Sequence, residues 1–418
     1  MKKIISVAVA TTLFGSVAVT ASVPEAEWEQ FKAQFAAMSK RVSALEVENQ
    51  KLREVSKQTV KVEDLAATNT ELNTLKKQNS ETSWAERIKW KGDYRFRYET
   101  IDQQGRDDRE RWRIRARPAL IAKTSNTTIV GFGLATGGDD PVSSNQTLGN
   151  GSTSKKINLD LAYATWRPVD SAYVTAGIFS NPYYRVQKSQ LIFDGDYRTE
   201  GMAVGWANDM FFATAGYNFI ESDSSKSDYG VWGVQLGAIF APVDGAILTA
   251  SAGYLDVPTA GETAIFDDDF FGNSFVVDQQ GVEVYEYDYN LTTASLKLAL
   301  SVFDMPLAFY SDYVRNSDPE DFDTGYLIGL QLGNAKKRGS WQVRYQYEKL
   351  EANATLGLVT DSDFAGGGTD GKGSRIGAKY AIDDKWYVGA TYFDNSTGFD
   401  LGDNEDYKRF QLDTGFKY

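Results

Sequence analysis

Between Lys89 and Lys123 the chain alternates two kinds of residue with a period of two. Trp90, Gly92, Tyr94, Phe96 and Tyr98 take one parity, and Lys91, Asp93, Arg95, Arg97 and Glu99 take the other. After a turn-like stretch from Asp102 to Asp108, Trp112, Ile114, Ala116, Pro118 and Leu120 oppose Arg111, Arg113, Arg115 and Arg117. Period two means extended strand, with alternate side chains on opposite faces. A water-soluble sandwich alternates too, but its buried face is normally a run of Val and Leu. Arginines in file behind a face that carries Trp and Tyr near the strand ends fit lipid on one side and water on the other.

Composition narrows what such a wall could do. The chain has 418 residues, a net charge of -13, no cysteine and no histidine. The acidic balance argues against a nucleic-acid partner. Without Cys there are no disulfides or thiolate ligands, and without His the commonest general base and transition-metal ligand are missing. Any catalysis would have to use carboxylates, and no cofactor or metal is expected.

Residues 1–21 read as a secretory signal peptide: Met1-Lys2-Lys3, an apolar run from Ile4 to Val19, and a small-residue exit at Ala21. From 22 to 82 the composition is helical. Trp28, Phe31, Phe35, Met38, Val42, Leu45, Asn49 and Leu52 step by three and four, the a/d seam of a coiled coil; Val62, Leu65, Leu72 and Leu75 extend a weaker stripe. Such a helix needs partner helices or a surface to lie on.

From 83 to 418 we expect an all-β unit of sixteen strands, running from Lys89–Thr100 to Asp406–Tyr418. Eighteen are reached if Phe270–Val277 and Val282–Tyr289 pair within the wall rather than as a hairpin outside it. Short turns alternate with long Gly-, Ser- and Asp-rich connections, the pattern of a transmembrane barrel with short periplasmic turns and long external loops. Trp90, Trp166, Trp206, Trp341 and Trp386 all fall at short-turn ends, as an interfacial girdle would. Only Pro118 breaks a strand, and a bulge is expected there.

The last strand alternates Phe410, Leu412, Thr414, Phe416 and Tyr418 with Gln411, Asp413, Gly415 and Lys417. It resembles the C-terminal signature of Gram-negative outer-membrane barrels, which implies recognition by the outer-membrane assembly machinery. A second pattern runs through Gly177-Ile178-Phe179-Ser180-Asn181-Pro182-Tyr183-Tyr184, Leu191-Ile192-Phe193-Asp194-Gly195-Asp196 and Glu200-Gly201. It resembles a bacterial porin family, and the helical extension and barrel length are similar over essentially the whole chain. The resemblance implies a homotrimeric, lipid-embedded channel for small hydrophilic solutes and ions in the outer membrane, with the N-terminal segment in the periplasm. It also implies that the third external connection, Ser180 to Glu200, folds inward as a constriction carrying Tyr183, Tyr184, Arg185, Lys188, Asp194, Asp196 and Glu200. These would face a pore wall of Arg95, Arg97, Arg111, Arg113, Arg115 and Arg117 and set up a transverse field.

Each element has a plainer reading. The arginines could be neutralised by Asp93, Glu99 and Glu110 in cross-strand pairs. Asp194 and Asp196 could cap a turn, and Asp267 to Asp269 could hold calcium or be a solvated loop. Asp194 with Glu200 could be written as a glycosidase pair. The coiled coil could tether the outer membrane to the cell wall, with the barrel as anchor.

Overall fold

The computed structural model describes residues 25–55, 69–73, 86–222 and 228–418. The signal peptide and the seam positions Val62, Leu65 and Leu75 lie outside them. The chain divides into two units, Met1–Thr82 and Ser83–Tyr418. In the first, one helix spans Glu25–Val55. Its described seam residues Met38, Val42, Leu45 and Leu52 are solvent-exposed, Met38 at 63%.

The second unit is a closed antiparallel barrel of sixteen long strands. They are β1 (Ile88–Gln103), β2 (Arg109–Lys123), β3 (Thr128–Thr136), β4 (Ile157–Val169), β5 (Ala172–Ser180), β6 (Arg198–Ala207), β7 (Phe211–Glu221) and β8 (Tyr229–Val243). The wall continues through β9 (Ala246–Val257), β10 (Tyr289–Val302), β11 (Met305–Asn316), β12 (Thr324–Gly333), β13 (Trp341–Leu350), β14 (Gly371–Asp383), β15 (Trp386–Thr397) and β16 (Glu405–Lys417). Closure comes from β1 pairing with β16, in register from Asp93↔Lys417 to Gln103↔Tyr407. The expected sixteen strands are therefore all present. The segment that could have raised the count forms a separate hairpin, Phe275–Val277 with Glu283–Tyr285, outside the barrel sheet.

Period two sorts the two faces. Trp90, Trp112, Trp166, Trp206, Trp232, Trp341 and Trp386 are all exposed on the outer surface, in a belt with Leu, Val, Ile and Phe. The turn at Asp244-Gly245 is two residues long, and Gly245 supplies a φ of +79°, which such a hairpin demands. The bulge expected at Pro118 is absent: its register against β1 is unbroken from Lys91↔Ala119 to Asp93↔Arg117. Instead the ladder to β3 stops at Ala119↔Gly133, so the residue without an N–H sits where pairing on that side has ended. Beyond it the two-residue strand Gln146–Thr147 takes over as partner of β2, and the Ala116 N–H donates to Thr136 Oγ1 at 2.9 Å.

The interior is not a clear tube. Three external connections fold into it: residues 137–156 (L2), 181–197 (L3) and 351–370 (L7). Val186, Leu191, Leu356, Leu358 and Val359 from L3 and L7 are buried with the wall residues Leu255, Leu291, Tyr310, Val314, Leu327 and Leu350 in one apolar cluster. One side of the barrel is thus filled by a hydrophobic core, and the charged residues line the other.

Candidate functional site: a charged wall facing two inserted loops

All six predicted arginines occupy the inward parity of β1 and β2, opposite the exposed Trp90, Tyr94 and Trp112. They do not stand free across an open gap. Glu99, fully buried, gathers Arg111, Arg113 (3.4 Å) and Arg409 (2.6 Å). Arg97 makes a two-point contact with Asp413, at 2.7 and 3.0 Å, and a third with Asp363 of L7 at 3.0 Å; Arg409 reaches the other oxygen of Asp363 at 2.7 Å. Lower on the wall, Arg115 and Arg117 share Asp93 (2.6 and 2.8 Å) and Asp196 of L3 (3.2 and 2.6 Å). Arg95 bonds Asn145 of L2 and lies 4.0 Å from Asp413.

The expected transverse field is therefore corrected: the ladder is largely consumed in contact ion pairs. Asp93 and Glu99 take part as cross-strand partners, and the loops supply Asp196 and Asp363. Burial makes an unpaired member of such a pair costly, although desolvation offsets much of the attraction within the intact pair.

The two loop carboxylates have opposite characters. Burial alone would raise Asp196, but Arg115, Arg117 and the Ser144 hydroxyl hold it far below the ordinary carboxylate range. Asp194 is pushed well above that range by burial and by the carboxylates of Asp361 and Asp196. Its role is to fasten loops. Asp194 Oδ1 accepts the Asp196 N–H at 2.6 Å and Oδ2 the Ser362 N–H at 3.0 Å, while its own N–H donates to Val359 O at 2.7 Å. L3 and L7 are joined here, and Ser362 Oγ adds a bond to Val142 O of L2 at 3.0 Å.

Tyr183 and Tyr184 anchor L3 to the wall. The Tyr184 N–H and carbonyl both bond the Gln235 side chain, at 2.7 and 3.0 Å, and Tyr183 stacks on Phe193 with centroids 6.2 Å apart. Arg185 donates to the carbonyls of Phe193 and Asp194, at 2.8 and 3.0 Å, closing the loop on itself. Between these, Gln187 and Lys188 both have positive φ, 45° and 60°. That conformation costs roughly 1–2 kcal/mol per non-glycine residue and is held by the buried Val186 and Leu191 on either side. Glu200 is a correction: it lies on β6, exposed, with the parity of the outward Met202, Val204 and Trp206. It faces away from L3, so Asp194 and Glu200 do not converge as a hydrolytic pair.

L7 is one of the long external connections, yet most of residues 352–370 are buried. Asn273, in the connection between β9 and β10, holds it by donating to the carbonyls of Ala352 (2.7 Å) and Thr355 (2.9 Å) and accepting from the Gly357 N–H (2.8 Å). In the same connection, Asp269 Oδ1 accepts the Phe271 N–H at 2.7 Å. Among the described residues Asp267 to Asp269 do not form a carboxylate cluster that could hold a metal; the acidic run makes a turn.

At the C-terminus Phe410, Leu412, Phe416 and Tyr418 all face outward. Phe416 stacks on Trp386 and Tyr418 on Trp90, at 5.3 and 6.2 Å, and the Tyr418 and Gly92 backbones exchange two bonds of 3.1 Å.

No curated protein sequence matches the chain. Among solved structures, Pseudomonas putida OprB aligns with a TM-score of 0.54 at 10% identity, covering 82% of this chain and 97% of that one. OmpT of Vibrio cholerae, a trimer form, gives 0.47 at 12% identity over 79% and 99%, and a variant of Rh. blastica porin 0.45 at 12% over 79% and 100%. A family profile described as "Putative porin" matches residues 101–262 and 273–403, so it takes in the charged hairpin from Ile101 onward, L3 and L7. That match covers more than half of the chain, and the chain belongs to this family of outer-membrane β-barrel channels.

Proposed function

We propose that this porin is a water-filled pore through which small hydrophilic solutes and ions diffuse passively, without chemistry or cofactor. One observation carries the reading: Lys379 has the inward parity of β14, opposite Ile376 and Tyr380, yet it is solvent-exposed. An inward-pointing residue can be exposed only where the barrel holds accessible space. The polar wall of β1, β2 and β13–β16 bounds that space on one side, and L3 and L7 bound it on the other.

The working form is a homotrimer with the N-terminal segment in the periplasm. The exposed seam residues Met38, Val42, Leu45 and Leu52 of the Glu25–Val55 helix support this, because an a/d stripe is stabilised by partner helices. The outward alternation Phe410 to Tyr418 serves as the assembly signal. Liposome swelling tests the diffusion reading: vesicles carrying the refolded protein should swell in isotonic small sugars, progressively more slowly as solute size rises. Swelling no faster than protein-free vesicles would refute it.

A further inference from the structure

The carboxylates on β1, β2 and β16 are committed to arginines, but the cations farther along the same wall are not all matched. Arg344 on β13 and Lys379 on β14 share the inward parity. They lie on neighbouring strands two residues out of step, since Arg344 pairs with Gly377 and Gln342 with Lys379. Diagonal neighbours of this kind are about 7–8 Å apart at the backbone, within reach of long side chains. Neither makes an ion pair among the described residues. Arg344 donates Nε and Nη2 to Gln331 Oε1, at 3.2 and 2.7 Å, and lies 5.9 Å from the Tyr310 ring centre. Lys379 Nζ stands 5.3 Å over the Tyr387 ring. Its ladder partners are Gln342 on β13 and Gly389 on β15, and the Lys379 side chain lies over Gly389, where a Cβ would meet its Cγ at 3.0 Å.

L3 contributes the third cation. The turn Val186–Lys188 packs beside β10 and β11, and Lys188 is held there in the left-handed conformation that its sequence does not favour. The nearby carboxylate of Asp312 is bonded by the Ser189 and Ser295 hydroxyls instead. Burial lowers Lys188, and Lys417, Arg344, Arg185 and Lys336 lower it further by repulsion. Lys188 is solvent-exposed, so its charge is open to solutes.

We propose that Lys188, Arg344 and Lys379 form an anion station inside the pore, which draws in small oxyanions by charge and by the forked donors of Arg344. This deepens the diffusion reading and rests on it. The class is small solutes bearing phosphate, sulfate or carboxylate groups. The arginine ladder, already neutralised, shapes the passage and contributes little to its sign.

The test is planar-bilayer recording of the purified mature protein under a KCl gradient, with inorganic phosphate, sulfate or acetate then added as blockers of chloride current. Wild type should show an anion-side reversal potential and block by phosphate. Lys188→Gln combined with Lys379→Gln should move the reversal potential toward the cation side and raise the half-blocking phosphate concentration about tenfold, the factor set by losing about 1.4 kcal/mol of attraction. Lys337→Gln, an exposed change in a periplasmic turn, should alter neither. Block by phosphate and sulfate alone supports a station tuned to multiply charged anions, and block by acetate as well supports one that also admits carboxylates. Conductance with no anion preference, or a double variant that keeps wild-type selectivity and block, overturns this inference alone. Silence from a correctly folded barrel, judged by heat-modifiable mobility, overturns the pore reading and this inference with it.

Discussion

Glu99→Gln removes the one carboxylate on which Arg111, Arg113 and Arg409 converge. Glu99 has no solvent exposure and Arg409 only 2%, so water cannot replace the lost charge. At an effective dielectric near 20, one unit pair about 4 Å apart is worth about 4 kcal/mol. Arg409 keeps Asp363, and the neutral amide still accepts one hydrogen bond, which offsets part of the loss. Breaking a buried pair by deleting one partner costs about 3–5 kcal/mol, and we expect Glu99→Gln to fall in that range. Asp93→Asn is the matched control. Asp93 is 22% exposed, and both of its arginines retain Asp196, so its loss should cost about 1.5–3 kcal/mol, that of hydrogen bonds to a charged group. The assay is urea unfolding of the refolded barrel followed by tryptophan fluorescence. Glu99→Gln costing no more than Asp93→Asn would refute the argument that burial sets the strength of this wall.

Other consequences follow from the loops and the helix. The depressed Asp196 contributes stability that is present above the ordinary carboxylate range near 3.9 and lost as pH falls through its native value; the raised Asp194 contributes stability that is present below that range and lost as pH rises through its own. Asp196→Asn should therefore flatten the acid limb of a stability-against-pH curve, and Asp194→Asn the limb toward neutral pH; identical curves would contradict the assignment. Deleting residues 354–368 should raise single-channel conductance, because L7 occupies barrel interior, and an unchanged step would place the permeation path elsewhere. Gly177→Val should sharply reduce refolding yield, since Gly177 has a φ of +116° and an added Cβ would sit 2.1 Å from Ala162 O; the backbone conformation alone costs about 1–3 kcal/mol. Truncating Trp28 to Leu75 should weaken the trimer in unheated electrophoresis, and an equally heat-resistant trimer would show that the barrels alone hold it.

The wall was legible because period-two alternation is a local signal, carried by each strand independently. The arginine file was legible for the same reason. Its partners were not: Asp413 and Asp363 lie hundreds of residues from Arg97, and nothing local in the chain says which carboxylate will face which guanidinium. The outward position of Glu200 was legible too, because it shares the parity of Met202, Val204 and Trp206. L7 gave no warning. Its Gly, Ala and Thr composition reads as a solvated loop, and only the distant Asn273 and the Asp194–Ser362 bond show why it turns inward. Arg344 and Lys379 lie 35 residues apart in sequence, and only the ladder between β13 and β14 brings them to one face.

The pore proposed for this chain is an open aqueous path between the charged wall and the two inserted loops. Single-channel recording of the purified, refolded mature protein in KCl tests it most directly. Discrete, long-lived conductance steps, in groups of three for a trimer, are the predicted result. No conductance from protein with the mobility of a folded barrel would contradict it and leave a closed, anchoring barrel in its place.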